Sequence, residues 1–132
     1  MAQYQGAFST SREAAADLST RQFRFVKFDG NDRALLGITA TDPIQGILQN
    51  KPKALGKASR IFLLGAGSSK LVVKTSSAGN IAAGDKLTCT TDGRGEKANN
   101  AADGTFVTAM QGATADDTEI EVRLDVSADY DA

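Results

Sequence analysis

Residue types that carry most protein chemistry are sparse in this chain. It contains no histidine, which removes the commonest general base and the commonest metal ligand together, so zinc and triad chemistry are not expected. Carboxylates cluster at turns and on the outward face of the last strand, where solvation accounts for them. Gly65-Ala66-Gly67-Ser68-Ser69-Lys70 places a lysine after a glycine-rich turn, the ingredients of an anion cradle. A phosphate loop, however, needs Gly, four residues and then Gly-Lys-Ser/Thr opening a helix, and here Leu71, Val72 and Val73 continue as a β-rich run. A hairpin turn is therefore expected. Asp29-Gly30-Asn31-Asp32 offers oxygen ligands of the kind calcium takes, without the later bidentate Glu, and reads as an Asx-rich turn. Lys51, Lys53, Lys57 and Arg60 make a basic patch, broken by Pro52 and lacking the interleaved aromatics of a single-strand binding face. The single cysteine, Cys89, has no intrachain partner and sits in an alternating run as a small core residue. No catalytic residue, cofactor or metal site is read from these patterns, and an enzyme is not expected.

The elements around these residues are strands. Short apolar runs separated by Gly, Asp and Asn begin at Gln22, the spacing of an all-β domain. In Glu119 to Val126, Ile120, Val122, Leu124 and Val126 alternate with Glu121, Arg123 and Asp125, which makes one face buried and the other wet. Lys86 to Thr91 repeats the pattern more weakly, with Leu87 and Cys89 inward and Thr88 and Thr90 outward, and Asp92-Gly93 supplies a tight hairpin. In Gln22 to Phe28, Phe23 and Phe25 fall on one face and Val26 and Phe28 on the other, so either a bulge shifts the register or both faces are covered. Arg60 to Leu64 is apolar on both faces, so the second face of Ile61, Phe62, Leu63 and Leu64 must be covered by the N-terminal arm, a loop or another subunit. Seven or eight strands in a small β-barrel or β-sandwich are predicted, with no fixed-period repeat.

A length of 132 residues holds one domain, and Leu, Ile, Val and Phe number only 28, a thin core for that length. Association with copies of itself is expected to add stability. Residues 1–60 carry nine Lys or Arg against five Asp or Glu, and residues 61–132 carry six against eleven, for a net charge of -1. Such asymmetry suits the front of one subunit to the back of another. Residues 1–21 read as an N-terminal arm ahead of a β-domain at 22–132, since Met1 to Thr20 holds only Tyr4, Phe8 and Leu18 as larger apolar groups. Arg12 to Leu18, with Ser11 in the N-cap position, has helix-forming composition but too little length to hold a helix unaided. No signal-peptide pattern opens the chain and no apolar run approaches a membrane span.

The segment Gly46-Ile47-Leu48-Gln49-Asn50-Lys51-Pro52 resembles the most recognisable stretch of the tailed-bacteriophage capsid decoration (cement) proteins, formerly a domain-of-unknown-function family. The similarity extends to Phe25-Val26-Lys27-Phe28 before an Asp-Gly turn, to Ile81-Ala82-Ala83-Gly84-Asp85-Lys86-Leu87, and to Ile120-Glu121-Val122-Arg123-Leu124, spanning residues 22 to 126. It departs at Val107 to Gln111, where the family often has Gly-Ile-Ala-Leu. The resemblance implies a β-barrel on the outside of an assembled phage capsid, commonly a homotrimer, bound to the major capsid protein and stabilising the virion. Independently of the resemblance, the near-zero net charge and the lack of an aromatic-interleaved basic face argue against a nucleic-acid or membrane-surface partner, and the lone cysteine with no signal-peptide pattern argues for manufacture in the host bacterial cytoplasm. Contact residues for the shell or a second copy are expected among Tyr4, Phe8, Arg12, Arg21, Lys51, Lys53, Ile61, Phe62 and Leu63. A phage tail or baseplate component would share this composition. A carbohydrate-binding module fits less well, because the chain has no Trp and its two tyrosines, Tyr4 and Tyr130, lie near the termini.

Overall fold

The computed structural model describes residues 9–39, 41–65, 67–99 and 104–125. They form ten short strands: β1 (Ser9–Glu13), β2 (Phe25–Phe28), β3 (Ala34–Leu36), β4 (Gly46–Leu48), β5 (Ala58–Leu63), β6 (Gly67–Val72), β7 (Lys86–Cys89), β8 (Gly95–Lys97), β9 (Val107–Ala109) and β10 (Glu119–Leu124). Two five-stranded antiparallel sheets result, ordered β1-β5-β4-β2-β3 and β6-β10-β9-β7-β8. Within each, the outer strands meet only at a single parallel bridge, Ala14 to Ala34 and Val73 to Gly95, so the sheets curl without closing into barrels. The all-β expectation holds, in its sandwich form. The strands beyond eight come from β1, inside the expected arm, and from three-residue strands such as β3 and β4, too short for alternation to mark.

The two strand orders are one topology used twice. Adding 61 to the residue numbers of the β2–β3, β2–β4 and β4–β5 registers gives those of β7–β8, β7–β9 and β9–β10: Gly46 faces Leu63 as Val107 faces Leu124, and Val26 faces Leu36 as Leu87 faces Lys97. Loop hydrogen bonds repeat as well. Phe23 N donates to Leu48 O at 2.8 Å as Gly84 N does to Ala109 O at 2.7 Å, and Gly37 N to Phe25 O at 2.9 Å as Ala98 N does to Lys86 O at 3.0 Å. Arg60 N reaches the Asn50 side chain at 2.9 Å, and Glu121 N the Gln111 side chain at 2.7 Å. Three pairs of left-handed residues correspond as well: Phe23, Asp32 and Gly56 in the first unit match Gly84, Gly93 and Asp117 in the second. Across residues 25–63 and 86–124, only Arg33/Arg94, Ala40/Ala101, Asp42/Asp103, Ala54/Ala115 and Leu63/Leu124 are identical. That divergence hides the repeat from the sequence.

Packing distinguishes the units. Ala14, Leu18, Val26, Ala34, Leu48 and Ile61 fill the curl of the first. Their counterparts, among them Val73, Ile81, Leu87, Ala109 and Val122, fill the second, and that cluster also takes in Phe25, Ile44 and Ile47 from the opposite face of the first sheet, with Phe62 and Leu64 packed against it. Phe25 meets Phe106 edge to face at 5.6 Å. The first sheet is thus apolar on both faces because each faces its own core.

Four expectations change. Thr88 and Thr90, expected to face outward, are 1% and 5% exposed, so β7 is enclosed on both faces beyond Lys86. Residues 9–21 are not an arm: β1 pairs with β5 over five positions, and Ala14 and Leu18 are 0% and 3% exposed. The Ser11–Leu18 composition yields to strand pairing, which satisfies every β1 register position against an existing sheet edge. The apolar Ile61–Leu64 run is covered within the chain: Ile61 lies inside the first unit, and Phe62 and Leu64 lie against the second. Finally, Gly65–Gly67 is not a hairpin turn, because β5 pairs with β1 and β4 while β6 pairs with β10, so this segment carries the chain from one sheet to the other.

Candidate functional site

The motif Gly46 to Pro52 is a structural junction. Gly46 has no room for a Cβ, which would meet the Phe62 carbonyl oxygen on the neighbouring strand. Ile47 enters the core shared by the units and Leu48 the first unit's own. Gln49 Nε2 donates to Ser69 Oγ at 2.8 Å, tying the two sheets together. Asn50 grips the β4–β5 loop through Ala58 O at 3.0 Å and Arg60 N at 2.9 Å. Pro52 is buried and its carbonyl accepts from Leu18 N at 2.9 Å. In this motif the side chain of Lys51 alone is exposed.

The polar motifs are internally satisfied. The Asp29 carboxylate accepts from Asn31 N, Arg33 N and Arg33 Nε at 2.8 to 3.2 Å, and the backbone bonds from Arg33 and Asn31 hold it below the ordinary carboxylate range, leaving an Asx turn. Lys70 of the glycine-rich segment stands 5.9 Å from the centre of the Phe23 ring. Burial pushes the Cys89 thiol up to about 12, with Asp42 and Asp92 adding to the effect, so it is a protonated core group. Among the described residues no group of three or more His, Cys, Asp or Glu is placed to hold a metal ion. An open groove of about 470 Å³ runs past Phe23, Gln49, Phe62, Ser69, Lys70 and Glu121.

The expected contact residues scatter. Tyr4 and Phe8 lie outside the described residues. Arg12 lies 5.0 Å over the Phe28 ring and donates to Thr10 Oγ1 at 3.0 Å, a local role. Arg21 is half-buried beside the turn at Leu18. Ile61 is fully enclosed, and Phe62 and Leu63 are half-buried against the two cores, with Phe62 also lining the open groove. Lys51 and Lys53 are exposed on the β4–β5 loop. Sequence reasoning missed Leu55 on the same loop, 60% exposed, alongside Ile38 at 47% and Met110 at 50%. The signal available was a leucine in a Lys-, Gly- and Pro-rich loop with no apolar neighbour to pair with.

The charge asymmetry of the sequence coincides with the two units. In the first, Lys27 pairs with Asp42 and Arg33 with Asp29 at 3.2 Å, and Arg24 reaches Asp92 of the second unit at 3.6 Å. Among the described residues Arg12, Arg21, Lys51, Lys53, Lys57 and Arg60 have no carboxylate within ion-pair distance. In the second unit only Lys70 and Lys74 are in that position.

The fold has a counterpart among phage proteins. The crystal structure of the N base of the head fiber gp8.5 of bacteriophage phi29 matches with a TM-score of 0.65 at 15% identity, over 88% of this chain and 92% of that one. That span takes in both five-stranded units. No protein-family model and no curated protein sequence matches the chain. At such low identity the likeness establishes a shared architecture, and the resemblance to decoration proteins continues to rest on the motif residues themselves.

Proposed function

We propose that this chain is a non-catalytic structural protein of a phage head, seated on the outer surface of the assembled capsid as a decoration protein. The observation that carries the reading is the shared architecture over nearly the whole chain with the base of a phage head fiber. The decoration-protein resemblance of Gly46 to Pro52 points to the same location independently. The major capsid protein is the proposed partner, and a closed homo-oligomer such as a trimer the proposed form. Of the apolar run, Ile61 is enclosed and Phe62, Leu63 and Leu64 are half-buried against the chain's own cores, so surface loops are the proposed contacts. A second reading, a fiber base anchoring a longer appendage, is favoured by the role of the phi29 neighbour as the base of a head fiber.

Cryo-electron microscopy of heads assembled with and without the chain tests the proposal. Density of two stacked sheets on the outer shell of the first sample and its absence from the second is the expected result. Heads that look alike in the two samples would remove the reading. Density continuing outward as a shaft would select the fiber base.

A further inference from the structure

We propose that the β4–β5 loop, presenting Leu55 among Lys51, Lys53 and Lys57, is the knob by which this chain docks onto a carboxylate-rimmed apolar socket on the shell protein; the inference rests on the head-surface reading above. The loop is held rigidly from behind. Leu18 N donates to Pro52 O at 2.9 Å, Gly56 N to Ala14 O at 2.9 Å, Ala14 N to Lys57 O at 2.8 Å and Lys57 N to Ala54 O at 3.1 Å. Pro52 is buried, while Lys51, Lys53, Leu55 and Lys57 are all exposed. A fixed backbone that presents its side chains outward loses little entropy on docking.

The duplicated unit supplies a control. Its β9–β10 loop repeats this backbone, with Ile81 N donating to Ala113 O, Asp117 N to Val73 O and Val73 N to Thr118 O. There the counterparts of Lys51, Lys53, Leu55 and Lys57 are Gly112, Thr114, Asp116 and Thr118. The backbone therefore requires neither the three lysines nor the leucine, and these four residues are left for another task. Three cations without carboxylate partners among the described residues, set around one exposed aliphatic side chain, complement an acidic rim and an apolar centre. A protein socket is favoured over nucleic acid because no aromatic platform accompanies the lysines and leucine has no stacking partner among bases.

Retention of the full chain on purified heads lacking it, across a salt series, tests the inference. One variant grafts the counterpart residues (Lys53→Thr, Leu55→Asp, Lys57→Thr), a second is Leu55→Ser, and a third exchanges Lys51, Lys53 and Lys57 for Gln. Thermal melting confirms that each keeps the fold. The graft is expected to weaken retention about tenfold or more and Leu55→Ser severalfold, while the glutamine variant loses most of the salt dependence. Retention of all three at the unaltered level would overturn this inference and leave the head-surface reading standing. An unaltered chain that fails to bind heads would overturn that reading and this one with it. Lysine-dependent binding to a 40-base-pair DNA duplex without binding to heads would overturn the choice of a protein partner.

Discussion

On the face where the first unit presents Phe25, Ile47, Phe62 and Leu64, the second presents Lys86, Thr108, Arg123 and Asp125 at the corresponding positions. The apolar set holds the second unit against the first. The polar set forms a closed network: Asp125 accepts from Thr108 at 2.8 Å, Arg123 at 3.1 Å and Lys86 at 3.3 Å, and Arg123 also reaches Thr108 at 3.2 Å. One backbone thus serves as a packing surface in one copy and as a solvated end in the other, the arrangement by which stacked repeats terminate. Backbone register and loop hydrogen bonding survive nearly complete replacement of side chains, whereas the choice of buried face depends on very few of them.

Exchanging counterparts between the units gives the largest expected effect. Phe25→Lys places an unpaired ammonium in a fully buried site and is expected to cost about 4 kcal/mol or more, enough to unfold much of the population. The reciprocal Lys86→Phe, on an exposed position, is expected to change stability by less than about 1 kcal/mol while promoting self-association. Urea titration and light scattering measure the two consequences, and equal costs for both exchanges would break the distinction between the faces.

Leu18 and Ile81 occupy matching places, each donating its backbone N–H to the loop that follows the fourth strand of its unit. Leu18→Ala and Ile81→Ala are each expected to cost about 2–4 kcal/mol. Denaturant midpoints showing a cost only at Ile81 would return residues 14–18 to the status of an arm. By the same argument, deletion of Met1 to Thr20 is expected to abolish the cooperative transition, since it removes β1 together with Ala14 and Leu18.

The hairpin turns differ in acid sensitivity. Burial pushes Asp92 up, yet hydrogen bonds from Arg94 and Thr90, with the charges of Arg94 and Arg24, prevail and hold it at about 2 against an ordinary 3.8. Its folded value lies below its unfolded one, so its contribution is present above about pH 4 and is lost as the pH falls toward 2. The counterpart, Asn31, does not titrate. Asp92→Asn is expected to flatten the fall in melting temperature between pH 4 and pH 2. An unchanged slope would assign that fall to other carboxylates.

The smallest effect is expected at Asp32, whose φ of 63° matches the 81° of Gly93. Asp32→Gly removes a mild left-handed penalty and adds unfolded-state entropy, terms that nearly cancel, so the change should stay within about 0.5 kcal/mol. A larger shift in the melting midpoint would mean that the side chain does more than tolerate the turn.

Sequence alone determined the all-β class, the alternating face of β10, the β7–β8 hairpin and the core placement of Cys89. These follow from local periodicity and turn chemistry, which act over a few residues. It also exposed the charge difference between the halves without revealing that each half is a sheet. Tertiary structure alone decided the rest. The Ser9–Glu13 segment has no apolar alternation, and only the open edge of β5 makes it a strand. The second face of Ile61–Leu64 called for an arm, a loop or another subunit until the curl of the first sheet and the face of the second supplied cover. The duplication left five identities over 39 positions because backbone hydrogen bonds, which set the register, carry no side-chain signature. Leu55 became conspicuous for the same reason: only a second loop with the same backbone shows which side chains the fold does not require.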